Sequence, residues 1–435
     1  MEGVMNQNSF KPKNNFVSLV MWALPLSFFT FQFLLRLWPG LTMQDIMAQF
    51  SIDAASFGLI AAFYYYGYAG MQIPVALLLD KFGARFVVFA FAMLCGIGTL
   101  VFIGTNNFYL ALSGRFLIGV GSAAGFLGVS KVVSEWFSHS QYSRMIGFSF
   151  SVGLLGAIYG GKPLAHLIQN FSGQQVGLAL AVFSILLGCC ALLILRSPPN
   201  NTHSVTKTMN LSHCSFLFSS WIIWALALAN LLMVGALEGF ADVWGVPYLI
   251  AKYALNKTDA AFLISFIFMG MIFGGPLLAF LSQKLGNYFV IALCGTGLAF
   301  LFLILLYTAT LHWWQLGTLF FAIGLLCCYQ VIVFAAGSTL VPYEGLGVTI
   351  AFLNCINMLG GSFFHTLIGK LMDSSWSGQM SANGLKLYEM ESYQWALSLI
   401  PFCALCGSLL IVLIHIKTRA YAAPELMKKT SLTGV

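Results

Sequence analysis

Long apolar runs separated by short polar ones recur from one end of the chain to the other. A bilayer-spanning helix takes about 20 mostly apolar residues. Twelve stretches meet that length. Six lie at residues 17–40, 56–79, 86–104, 108–134, 145–169 and 175–196. After a polar stretch from Arg196 to Ser212, six more follow at 215–250, 260–282, 288–310, 314–340, 345–371 and 393–416. This order predicts an all-α polytopic membrane protein of twelve transmembrane helices in two six-helix bundles, 17–196 and 215–416. A central loop at 197–214 joins them, and tails 1–16 and 417–435 flank them. No small-residue cleavage site follows the first run, so it reads as a retained span rather than a removed signal peptide.

The two halves echo one another in the same order, the repeat signal expected of transporters. Gln32, Arg36 and Trp38 return 206 positions later as Glu238, Asp242 and Trp244. Tyr159-Gly160-Gly161 with Leu167-Ile168 returns 200 positions later as Leu359-Gly360-Gly361 with Leu367-Ile368. Lys81-Phe82-Gly83 returns as Lys284-Leu285-Gly286.

Composition closes off other classes. Apolar residues make up 59% of the chain and charged residues 8%, against about 25% charged in soluble domains. So few charges cannot cover a water-soluble fold of this size. The net charge of +7 is spread over short loops and tails, which excludes a nucleic-acid footprint. With the termini inside, Lys and Arg divide 12 (residues 11, 13, 81, 85, 144, 196, 207, 284, 417, 419, 428, 429) to 4 (252, 257, 370, 386). That bias favours both termini in the cytoplasm. The ten cysteines fall mostly in apolar runs, and Cys403-x-x-Cys406 has no His or charge cluster near it, so they read as packing residues. No P-loop, HExxH, nucleophile elbow or dinucleotide fingerprint is present. The chain is therefore not expected to be an enzyme or to hold a cofactor or metal.

Asp80-Lys81-Phe82-Gly83-Ala84-Arg85 resembles the signature loop of the major facilitator superfamily, with Ala76 where the family usually has glycine. Arg115 followed by Gly119 and Gly121 resembles the family's span-four pattern, and Lys131-Val-Val-Ser-Glu135-Trp136-Phe137 with Arg144 resembles its organic-anion symporters. The antiporter signature of span five is not matched. Phe63-Tyr-Tyr-Tyr-Gly-Tyr-Ala-Gly-Met-Gln72-Ile-Pro74 and Asp242-Val-Trp244-Gly-Val-Pro247-Tyr248 resemble nutrient importers of intracellular bacteria, the phagosomal group. The resemblance implies the major facilitator fold, a monomer, and a cytoplasmic gate of charge pairs from Asp80, Lys81, Gly83, Arg85, Glu135 and Arg144. It implies that Arg115 stabilises the bundle or takes part in proton coupling.

Charges at membrane depth cost about 2.5–3.5 kcal/mol each on insertion scales, so each needs a partner or a cavity. Arg36 and Asp242 hold matching places in the two halves, and Glu238 stands four before Asp242, on one helical face. Arg36 is expected either to pair with these acids when an outer gate closes or to bind a substrate carboxylate, and one acid to carry the proton. A static ion pair setting helix register is the plainer reading. Lys131 stands one turn before Glu135. It either snorkels as an intrahelical pair or attracts an anionic substrate. Lys162 and His166 flank Pro163, four apart, and are expected near a cavity, Lys162 toward substrate and His166 in proton coupling. Tyr65 and Gln72, within the aromatic patch Tyr64 to Tyr68, and the amides Gln330, Asn354 and Asn357 are substrate-contact candidates, although packing explains amides equally well.

These readings converge on a secondary transporter in the lipid bilayer of a bacterial inner membrane. The expected activity is proton-coupled uptake of a small polar or anionic metabolite, such as an amino acid, peptide, organic acid or nucleoside. Four intramembrane cations (Arg36, Arg115, Lys131, Lys162) favour a substrate carboxylate. Efflux of a drug-like molecule or siderophore, and a sensor on the same scaffold, are the alternatives.

Overall fold

The computed structural model describes residues 15–198, 220–341, 345–381 and 384–432. The N-terminal tail with Lys11 and Lys13, and most of the central loop, lie outside these. The first half holds α1 (Asn15–Leu41), α2 (Met43–Phe50), α3 (Ala54–Ile103), α4 (Phe108–Ser122), α5 (Ala124–Trp136), α6 (His139–Tyr159), α7 (Lys162–Asn170) and α8 (Gly173–Ile194). The second half holds α9 (Trp221–Met233), a π-helix α10 (Gly235–Trp244), α11 (Gly245–Tyr253), α12 (Lys257–Leu285), α13 (Asn287–Tyr307), α14 (Trp313–Cys327), α15 (Tyr329–Ser338), α16 (Leu346–Ser374), α17 (Met390–Leu397) and α18 (Leu399–Leu432). Helix satisfies every backbone polar group within the segment, which lipid demands.

Among the described residues, ten helical segments are long and apolar enough to cross a membrane. One of them, α3, has 50 residues. Drawn straight it would run about 75 Å, more than twice a hydrocarbon core of about 30 Å. Gly83 resolves this with φ 75° and ψ 165°, a left-handed conformation that glycine adopts without steric cost. The chain doubles back there. Tyr64, before the turn, and Cys95, after it, both abut α4, at Gly119 and Gly121. α3 thus supplies two passes, and the broken pair α6–α7 supplies another, giving the twelve expected. Gly286, between α12 and α13, takes φ 88°. The echoed Lys-x-Gly tripeptides therefore make the same turn in each half.

The repeat extends to packing that the sequence did not single out. A Cβ on Gly119 would overlap the Tyr64 carbonyl oxygen, and one on Gly324 would overlap that of Ile267. Gly67 faces Phe116 and Val120 as Gly270 faces Phe321 and Leu325. The helix pair α3–α4 and the pair α12–α14 thus meet through the same glycines. Between the halves, Gly161 meets Ser265 of α12 while Gly361 meets the Tyr65 ring of α3. The second contact of each glycine pair is also matched: Gly160 abuts Leu37 of the first span, and Gly360 abuts Leu231 and Val234 of the seventh.

Because backbone rather than a movable side chain meets Gly119 and Gly324, alanine at either site is expected to cost at least the roughly 1–3 kcal/mol typical of overpacking. Gly70 and Gly275 have open space around them. Thermal unfolding of detergent-purified protein should show a clear loss for Gly119→Ala and Gly324→Ala and little change for Gly70→Ala and Gly275→Ala. Equal effects at all four positions would contradict the close-contact assignment.

Candidate functional site

The two halves meet in a charged cluster where α1 crosses α10. Gly40 leaves room for the backbone of Asp242 and Val243, which lets Arg36, one turn earlier, reach across. Its Nε donates to Asp242 Oδ2 and its Nη2 to Glu238 Oε2. The Tyr65 hydroxyl lies 2.7 Å from the same Glu238 oxygen and also against Asp242 Oδ2. The acids sit on the π-helix, whose wider turn nearly stacks residues four apart and which recurs at functional sites. All ten of its residues are buried. The acid side chains are 2% and 1% exposed, whereas the Arg36 side chain keeps 11%. Two carboxylates thus face one guanidinium and one phenol, a formal charge of −1 with both acids ionised. Asp242 Oδ1 has no hydrogen-bond partner, and Asp242 lines a small gap between the halves with Gly160, Gly161 and Ser265.

Two residues to which the sequence assigned no site role, His365 and Trp244, complete the surroundings. His365 of α16 lies with its ring centroid 5.3 Å from that of Tyr65. It is fully buried, and neither ring nitrogen has a hydrogen-bond partner. Trp244, which approaches Gly58 as His365 does, likewise leaves its indole N–H unpartnered. A histidine in an apolar span was the available signal for the first.

Farther along the same interface, Asn354 donates to Gln72 across the halves at 3.2 Å, and Asn357 donates to Gln330 at 3.3 Å. These amides form a rung about 10 Å from Tyr65, taking seven residues of α3 at 1.5 Å each. Gln72 Nε2, Gln330 Nε2 and Asn357 Oδ1 remain unpartnered. Of the tyrosine patch, Tyr64 and Tyr65 are buried while Tyr66 is exposed, as helical geometry requires.

At the end of the bundle opposite the chain termini, a clasp joins the halves. The Tyr388 hydroxyl accepts from the Ala54 N–H at 2.9 Å and donates to Asp373 Oδ1 at 2.5 Å. Asp373 Oδ2 accepts from the Ala55 N–H at 2.7 Å. Lys386 bridges Asp373 at 2.9 Å and Asp53 at 3.5 Å. Lys257 with Asp45, and Thr258 with Gln169, add two further cross-half contacts at this end. Sequence reasoning missed the Asp53, Asp373, Lys386 and Tyr388 set, because Lys386 and Tyr388 sit in a loop more than 330 residues from Asp53.

Burial opposes ionisation of Asp53, but the Ser56 N–H and Lys386 outweigh it and hold its carboxyl below the usual value. Burial likewise opposes the Lys386 charge, and Asp373 and Asp53 outweigh it, raising that ammonium. The lowered acid stabilises the clasp above its free value, near 3.9, and that contribution is lost as pH falls through the bound value. The raised lysine stabilises it below about 10.4 and is lost as pH rises through its bound value. The clasp is therefore expected to hold across neutral pH and loosen only at the extremes. Deuterium uptake by residues 53–57, corrected for intrinsic exchange, should rise severalfold in Asp373→Asn at pH 7. It should stay flat for the unmodified chain between about pH 5 and 9.

The other expected site residues are distributed differently. Lys131 was expected either to pair with Glu135 along its helix or to attract substrate; it lies 2.8 Å from Asp80 and 3.7 Å from Glu135. The charge pairs near the termini end therefore centre on Lys131, within the first half. Gly83 makes the turn beside them. Lys81 lies over the Phe82 ring, Arg85 donates to the Leu192 carbonyl, and Arg144 is exposed. Lys162 and His166 are exposed and stand apart from the Arg36 cluster. Leu164, Ala165 and Ile168 occupy the inner face of α7, which turns Lys162 and His166 outward. There Lys162 rests over the Phe262 ring at 5.0 Å and His166 meets Asn170 at 3.1 Å. Arg115 is buried within the first half, donating to the Leu35 carbonyl at 3.0 Å and lying 5.2 Å over the Tyr64 ring. It braces α1 one residue before Arg36.

A multi-pass bundle of two matching halves, with a charged cluster at their crossing, is the architecture of a secondary transporter. The chain matches the Major Facilitator Superfamily over residues 17–365 and belongs to that family. It is a transporter of a small substrate, not an enzyme. Its relatives include the lysosomal dipeptide transporter MFSD1 of Danio rerio, 22% identical over 77% of this chain and 76% of that one. A putative tartrate transporter of Agrobacterium vitis is 24% identical over 78% of this chain and 79% of that one. Among solved structures, nucleoside transporter NupG superposes with a TM-score of 0.72 at 12% identity, covering 91% of this chain and 99% of that one.

Proposed function

We propose that this chain is a proton-coupled importer of a small polar metabolite, working by alternating access in a bacterial inner membrane with both termini cytoplasmic. The observation that carries the reading is the Arg36–Glu238–Asp242–Tyr65 cluster. It joins the halves where they must part, and its two carboxylates share one directly paired cation, Arg36, with the buried Arg115 within electrostatic reach of Asp242. A buried carboxylate without a cation of its own is costly, so closure of the halves around the cluster favours uptake of one proton. Opening to water removes that preference, which links proton movement to the conformational change. The clasp of Asp53, Asp373, Lys386 and Tyr388 serves as the outer gate, closed while the cytoplasmic side receives substrate. The Asp80–Lys131–Glu135 set serves the inner gate, and the chain acts as a monomer. The named activities of the relatives, on dipeptide, tartrate and nucleoside, support a small polar solute.

The test is accumulation of labelled amino acids, peptides, organic acids and nucleosides by proteoliposomes, with and without an inward proton gradient. Accumulation that requires the gradient supports import by symport. Gradient-driven release of preloaded compounds would instead point to efflux, and binding without flux to a sensor.

A further inference from the structure

The charge inventory of the site bears on what it carries. Four intramembrane cations suggested a substrate carboxylate, yet three are committed elsewhere. Lys131 is paired with Asp80 and Glu135, Lys162 faces outward, and Arg115 is buried against Leu35 and Tyr64. Among the described residues, Arg36 is the cation that pairs with acids at the crossing, and two carboxylates already hold it, while Arg115 acts on Asp242 from farther off.

A plain anion arriving at Arg36 must displace Glu238 or Asp242 and leave that acid buried without a directly paired cation, an unfavourable exchange. A substrate that brings its own cation avoids this. Its carboxylate takes the guanidinium while its ammonium takes the released acid, and every charge stays paired. The primary amides of Gln72, Gln330, Asn354 and Asn357, about 10 Å away along the interface, present donors and acceptors without charge. Three of their polar atoms are unpartnered. They suit a neutral hydrogen-bonding group rather than a second carboxylate.

Resting on the transporter reading above, we propose that the substrate is a zwitterion of amino-acid or short-peptide type, bearing an ammonium, one carboxylate and a neutral amide. Glu238 and Asp242 read its ammonium, Arg36 reads its carboxylate, and the amide rung reads the neutral group. Dianions such as dicarboxylates are excluded by the same charge balance.

The experiment measures equilibrium binding of four probes to the full chain in detergent at pH 7: alanyl-glutamine, its N-acetyl derivative, its C-terminal amide, and succinate. Alanyl-glutamine is expected to bind at least tenfold more tightly than each of the others. In Glu238→Gln/Asp242→Asn the preference over the N-acetyl derivative should shrink at least tenfold, a ratio that a merely structural role of the acids would not move. Equal or tighter binding of succinate or the N-acetyl derivative overturns the proposal, as does failure of every probe to bind folded protein. Flux assays separate the two readings. A zwitterion bound but not carried removes the transport reading and leaves the ligand class standing. Succinate carried while alanyl-glutamine is not removes the class and leaves transport standing.

Discussion

Arg36→Ala is expected to reduce gradient-driven transport by at least a hundredfold. Breaking a buried ion pair by removing one partner costs about 3–5 kcal/mol, because the remaining charge is left uncompensated. Here two acids lose their only shared cation, and both are almost wholly buried. The loss falls on the closed arrangement of α1 against α10, since the acids can hydrate once the halves part. The variant should therefore fold but rest with the outer side open, seen as faster deuterium uptake at residues 53–57. Glu238→Gln/Asp242→Asn strands Arg36 instead and should fail in the same assay. The triple variant removes every charge and should recover closure, while its remaining flux no longer responds to a proton gradient. Transport above half of the unmodified rate in Arg36→Ala would remove the cluster from the mechanism.

Gly58→Ala is expected to abolish transport while leaving thermal stability nearly unchanged. The added Cβ would overlap the His365 carbonyl oxygen across the halves, and in Gly369→Ala the added Cβ would overlap that of Ala54. Neither contact lies within one half, so each is made only while the outer side is closed. An overpacking cost of roughly 1–3 kcal/mol placed on one conformation shifts a two-state balance about 5- to 150-fold. That distinguishes these glycines from Gly119 and Gly324, whose contacts lie inside one half and whose loss should lower the unfolding temperature. Transport at the unmodified rate in Gly58→Ala would mean that closure does not need this approach.

Much of the architecture was legible along the chain because lipid imposes a local rule. A segment either is apolar for the length of a bilayer or does not span one, so the passes could be read by length and hydropathy. The broken span of α6 and α7 shows the limit of that rule. Its helix α6 is 21 residues long but carries Arg144 and several serines and glycines, so it is absent from the ten long apolar segments. The repeat was legible too, since Lys-x-Gly at 81–83 and 284–286 marks the same glycine-dependent turn in both halves. So was the pairing of Arg36 with Asp242 and Glu238, because equivalent positions in a two-fold repeat meet at the axis.

The allocation of the remaining charges was not legible. Sequence placed Lys162 and His166 in a span but could not say which face of α7 turns inward. The apolar positions that pack best, Leu164, Ala165 and Ile168, decided it. Lys131 could have faced substrate or a neighbour, and only the packing of α5 against α3 brings it to 2.8 Å from Asp80. His365, and the clasp of Asp53, Asp373, Lys386 and Tyr388, come from segments hundreds of residues apart in the chain and meet only because α16 packs along α3. The sequence by itself determined how many times the chain crosses the membrane and that it does so as a duplicated unit, because burial in lipid is enforced residue by residue. Only the tertiary structure decided which polar groups share a site, because the facing of each helix is set by close packing against its neighbours.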